Sequence, residues 1–146
     1  MTGSNADLAL QTVIYDTLVA TPAVTDLLAA GVDGVFDTVP DGADLPFIVI
    51  GDNELSRGEL KACERWVGKV SIDVHTQQGE GPGTPPPPVE QAKLILEEVQ
   101  AVINESLAPV GYDIIVLVVD FLGTSVNPTD EKSVTGRTTY RLDMVG

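Results

Sequence analysis

The chain has almost none of the residues from which catalytic and metal sites are usually assembled. Among 146 residues there is one cysteine and one histidine. Cys63 alone cannot close an internal disulfide, and with no second cysteine or clustered histidine there is no zinc motif. Cations are scarce as well: 8 Lys and Arg stand against 22 Asp and Glu, a formal net charge of -14. Tracking a phosphate backbone requires many cations on one surface, so this balance argues against a nucleic-acid binder and points to protein or basic partners. Aromatic residues make up 5% of the chain, so the 43% hydrophobic share is carried by Val, Ile, Leu and Ala. Met1 to Asp7 contains no basic stretch and no long apolar run follows it, which predicts neither a signal peptide nor a membrane span. A cytoplasm-like compartment is expected.

What is present is a well-patterned core. The length suits a single domain over residues 1–146. From about Asp7 to Val19, Leu10, Val13, Ile14 and Leu18 recur at helical spacing and predict a first helix. Leu8, Tyr15 and Val19 form a second apolar seam on its opposite side. That seam either meets a neighbouring subunit or tucks under a loop. Thr21-Pro22 predicts an N-cap and first-turn proline for a short second helix through Val24, Leu27 and Leu28, stopped by Gly31. Strands are expected at Val35 to Val39 and Phe47 to Ile50, where β-branched and aromatic residues cluster between prolines.

Residues 51–65 are charged and turn-rich and predict an exposed loop. Trp66, Val70, Ile72 and Val74 then alternate with Lys69, Ser71, Asp73 and His75, the pattern of a half-solvated strand. The proline-rich stretch 77–88 predicts a second exposed loop. From Val89 to Leu107, Ala92, Ile95, Leu96, Val99, Val102, Ile103 and Ser106 mark the core stripe of a long helix, with Leu94 and Ala101 nearly opposite. Tyr112 to Leu122 is almost continuously apolar and predicts a strand covered on both faces. A third loop is expected over 123–136, and a last one-sided strand from Thr138 to Val145. The order describes an α+β domain, with a mainly antiparallel sheet packed against a long helix and preceded by an N-terminal helical pair.

Chemical sites can be drawn from these residues, but thinly. Asp52 with Glu54, or Asp73 with His75, share a strand face and resemble acid/base or metal pairs, a pattern that any solvated polar face also produces. Gly79-Glu80-Gly81-Pro82-Gly83 precedes a helix without the Gly-Lys-Ser/Thr ending of a phosphate-binding loop. Cys63 stands in a charged stretch, yet a lone loop cysteine in a reducing compartment is usually incidental. Trp66 is expected in the core. The reading is of a protein with no catalytic residue, no metal site and no cofactor.

The segments Leu10-Gln11-Thr12-Val13-Ile14-Tyr15-Asp16-Thr17-Leu18, Thr21-Pro22-Ala23-Val24, Val35-Phe36-Asp37-Thr38-Val39-Pro40 and Leu45-Pro46-Phe47-Ile48-Val49-Ile50-Gly51 carry a resemblance. In this order they are similar to the tail completion, or tail terminator, proteins of long-tailed bacteriophages and gene transfer agents. The resemblance extends through the strand ending near His75, the Ile- and Val-rich helix and the final strand. It departs from the family pattern in the proline-rich loop and in Arg141-Leu142-Asp143-Met144, so loop contacts are not carried over.

The resemblance implies a structural virion protein at the tail neck, assembled in the host cytoplasm. It would form a ring of six subunits that ends tail-tube polymerisation and meets the head connector. The implied partners are other copies of the chain, the tail tube protein and the head–tail connector or stopper, with DNA passing through the lumen without specific binding and no membrane involved. A head-completion or connector-adaptor protein is the alternative within the same particle, and a small enzyme or ligand-binding domain the alternative outside it. Ring subunits need two different patches; Leu8, Tyr15, Val19 and Leu94 are the candidates for one of them.

Overall fold

A computed structural model of the chain describes residues 3–58, 65–77, 88–103, 115–128 and 133–145. Its elements are α1 (Gly3–Val19), α2 (Pro22–Thr25), a 3-10 turn (Gly31–Gly34), β1 (Val35–Phe36), β2 (Phe47–Gly58), β3 (Arg65–Gln77), α3 (Pro88–Val102), β4 (Ile115–Pro128) and β5 (Ser133–Val145). The strands form one sheet in the order β1-β2-β3-β5-β4. β1 and β2 are parallel, whereas β2–β3, β3–β5 and β4–β5 are antiparallel. This is the α+β arrangement with a mainly antiparallel sheet that the sequence predicts.

Helix α1 forms because Leu10, Val13, Ile14 and Leu18 lie on one stripe, and all four are buried together with Ala9. It packs on β1 and β2. The helix ends at Val19 and cannot continue through Thr21, because the backbone of a residue before proline is pushed out of the helical region; Thr21 has φ -107 and ψ 101. Here the structure differs from the expected cap. The Thr21 hydroxyl makes no capping bond to α2 and donates backward to the Thr17 carbonyl at 2.7 Å, as Thr17 does to Val13 at 2.7 Å. Threonine hydroxyls readily bond a carbonyl four residues back, and here that competes with capping. α2 is accordingly a single turn.

Helix α3 buries Ala92, Ile95, Leu96 and Val99, with Ile103 just beyond its end. It lies on β5 and β3. Each such aliphatic side chain withdrawn from water contributes about 1.5–3 kcal/mol before chain entropy is counted. The helix can sit this close because β5 presents Gly136 beneath it: a Cβ there would stand 2.9 Å from Leu96 Cδ1 and 3.5 Å from Ala92 Cβ.

The strands run further than the sequence pattern indicates. Residues 51–58, expected in a loop, continue β2 against Arg65 to Val70, with a register shift between Ile50 and Asn53. The expected loop 123–136 is likewise mostly strand, since β4 extends to Pro128 and β5 begins at Ser133. Ladder hydrogen bonds are indifferent to side-chain polarity, so a strand paired on a neighbour continues through charged and polar residues. In the other direction, β1 ends at Phe36 and does not reach Val39. The proline-rich stretch 78–87 and residues 104–107 of the expected helix lie outside the described residues.

Period-two alternation sorts the sheet into two unlike faces. Toward the helices β3 buries Trp66, Val70, Ile72, Val74 and Thr76, and β5 buries Val134, Thr138, Tyr140, Leu142 and Met144. Thr76 ties this layer together by donating from its hydroxyl to the Pro88 carbonyl at 2.8 Å, at the start of α3. The opposite face has no helix over it among the described residues.

Candidate functional site

The uncovered face is built from the alternate residues of β3 and β5, which the register places in successive rungs: Lys69 opposite Arg141, Ser71 opposite Thr139, Asp73 opposite Arg137, and His75 opposite Thr135. Each rung carries different chemistry. Arg137 grips Asp73 with two donors, Nε to Oδ1 at 2.7 Å and Nη2 to Oδ2 at 3.0 Å, a bidentate geometry that fixes both side chains. The Ser71 and Thr139 hydroxyls lie 3.4 Å apart. Lys69 and Arg141 face each other as two exposed cations, and Arg141 Nε is 3.7 Å from Asp143 Oδ1.

His75 sits at the edge of this face toward β2. Its Nδ1 is 3.2 Å from the Thr135 hydroxyl, and its ring lies 5.0 Å from that of Phe47, which in turn meets Phe36 edge-on at 5.7 Å. Burial lowers the imidazole pKa below its ordinary value, and the neighbouring Asp73 carboxylate partly opposes that shift. The sequence-level pair of Asp73 and His75 is therefore not an acid/base dyad: Asp73 is bound to Arg137, and His75 is bonded to Thr135 across the sheet. Nothing in the spacing of the sequence links residues 73 and 137. That partnership comes from strand register.

The candidate interface residues lie on two helices, α1 and α3. Tyr15 on α1 is 40% exposed and Leu94 on α3 is 42% exposed. Val19 is half-buried and packs against the core. The Leu8 side chain lies outside the described ones. The sequence reading missed the outer edge at β4. There Phe121 is 52% exposed and Leu122 50%, beside register shifts at Val116/Val118 and Phe121/Gly123. The expectation that both faces of this apolar strand are covered does not hold for residues 121 and 122. β4 pairs with β5 on one side and forms the sheet margin on the other, so its apolar run reaches solvent. Continuous hydrophobicity was the available signal, and it reads the same for a central strand as for an apolar edge.

Comparison with known proteins places this architecture. No curated protein matches the sequence. Among solved structures, a chain of the structure described as "Virion of native gene transfer agent (GTA) particle" superposes with a TM-score of 0.75 at 18% sequence identity, covering 94% of this chain and 95% of that one. The fold is thus one found in that particle. The family model described as "Tail completion protein gp17" matches residues 12–132, from the middle of α1 to the position before β5. A match over most of the chain, in agreement with the resemblance carried by its first fifty residues, establishes that the chain belongs to the tail completion protein gp17 family.

Proposed function

We propose that this protein is a structural virion component that closes the head-proximal end of a tail tube as a ring of six subunits, ending tube growth and offering the surface on which the head is joined. The observation that carries this reading is the family match over residues 12–132. The two unlike sides of the fold are consistent with it, because a subunit in a ring meets its two neighbours through two different patches. The net charge of -14 also suits a lumen through which DNA passes, since phosphate repels carboxylate and finds few cations to hold it. The partners on this reading are other copies of the chain, the tail tube protein and the head–tail connector, assembled in the host cytoplasm and retained at the neck. It catalyses no reaction. Tyr15 and Leu94 are proposed as contact residues because both are apolar and half-exposed.

Electron microscopy of particles made without this gene tests the proposal. Overlong, headless tails beside DNA-filled heads are the expected result. Normal-length tails that fail to join heads would reassign the protein to head completion or connector adaptation, and intact particles would overturn an assembly role altogether.

A further inference from the structure

Charge is segregated along this chain, and the fold turns that segregation into two surfaces. No Lys or Arg precedes Arg57, whereas nine Asp and Glu do: Asp7, Asp16, Asp26, Asp33, Asp37, Asp41, Asp44, Asp52 and Glu54. The acidic segment supplies α1, α2 and β1, at one margin of the sheet. Between β1 and β2 it forms a loop on which Asp37, Asp41 and Asp44 are exposed beside Val39, itself 40% exposed, with Gly42 turning the chain at φ 77. Three of the eight cations stand instead on the uncovered sheet face, at Lys69, Arg137 and Arg141.

The Lys69–Arg141 rung is the unusual element of that face. Like charges directly opposite on neighbouring strands destabilise a ladder. Asp143 stands on the same face with Oδ1 3.7 Å from Arg141 Nε, a loose ion pair that leaves the guanidinium exposed. Across β2, β3, β5 and β4 the row reads Glu54, Lys69, Arg141, Asp120 by register, with its cations adjacent at the centre. The two cations therefore stand side by side at the centre of the face, with carboxylates only at its flanks. The next rung adds the paired hydroxyls of Ser71 and Thr139. Two cations and two hydroxyls in adjacent rungs make a seat for carboxylates.

We propose that this seat takes the acidic β1–β2 loop of a second copy of the chain. Within one chain the Gln11 amide of α1 donates to Asp37 Oδ2 at 3.2 Å and ties the start of this loop to the helix side of the sheet. A loop at the sheet margin meeting the open face of a neighbour joins two different patches, and such contacts propagate head to tail until they close a cycle. The inference rests on the ring reading and specifies its contact.

Charge reversal tests it. Lys69→Glu with Arg141→Glu, and separately Asp41→Lys with Asp44→Lys, should each weaken assembly at least ~10-fold, because like charges forced together at an interface cost several kcal/mol. The fourfold variant should recover it. Oligomers are counted by native mass spectrometry, folding is checked by thermal melting, and a chain that is monomeric alone is scored by its binding to purified tail tubes. Rings insensitive to either reversal, or without recovery in the fourfold variant, would overturn this contact and leave the ring itself intact. A wild-type chain that forms no ring in solution or on tubes would overturn both. A short DNA duplex whose binding is lost in the Lys69/Arg141 variant, while assembly is unchanged, would overturn the carboxylate seat in favour of phosphate.

Discussion

Substituting Gly136 with alanine tests how the long helix is seated on the sheet. Carbon–carbon contacts settle at about 3.5–4.0 Å, and a Cβ at this position would stand 2.9 Å from Leu96 Cδ1, about 0.6 Å inside that range. Leu96 is 1% exposed and packed among core residues, so it cannot swing into solvent. Overpacking a core costs about 1–3 kcal/mol, and relief of the backbone entropy of a strand glycine returns about 0.5–1 kcal/mol. The net expectation for Gly136→Ala is a loss centred on ~1 kcal/mol and no larger than about 2.5 kcal/mol. At this chain length that lowers the melting temperature by roughly 2–4 °C per kcal/mol. Leu96→Val removes the obstructing methyl. Urea denaturation of both single variants and the double variant should therefore show a favourable coupling of about 0.5–2 kcal/mol. Strictly additive costs, or an alanine variant at least as stable as wild type, would refute the close seating of α3 on β5.

Two further outcomes are expected. Thr76→Val removes the hydroxyl that joins β3 to the first residue of α3 at 2.8 Å and should cost about 0.5–1.5 kcal/mol in denaturant melts, with Thr76→Ser losing less; equal losses in the two variants would show that the bond contributes nothing. Because the folded state lowers the His75 pKa, the unfolded chain binds more protons near and below the ordinary histidine value, so stability should fall as pH drops through about 6.5 toward the lowered folded value. His75→Gln should remove that part of the slope between neutral and mildly acidic pH, and a variant with the same slope as wild type would refute the assignment.

Much of the tertiary packing is legible in the sequence, because it depends on local periodicity. Leu10, Val13, Ile14 and Leu18 on one helix, and Ala92, Ile95, Leu96 and Val99 on another, are buried where the 3.6-residue spacing places them. Trp66, Val70, Ile72 and Val74, and Tyr140, Leu142 and Met144, follow the two-residue period in the same way. Misreadings arose where pairing overrides composition. Residues 51–58 and 123–128 look like loops by their charge and polarity, yet they are held as strand by backbone bonds to neighbours distant in sequence. The Thr21 side chain looks like a cap and is drawn to the carbonyl of Thr17 instead.

The core, the α+β class and the family are written along the chain, in its hydrophobic periodicity and in the order of its short structural motifs. Which strands are neighbours is not written there. The insertion of β5 between β3 and β4 puts Arg137 on Asp73, sets Lys69 against Arg141 and leaves β4 at the margin with Phe121 and Leu122 exposed. These juxtapositions join residues 64 to 72 positions apart. They follow from strand order and register, which arise from long-range pairing and have no local signature.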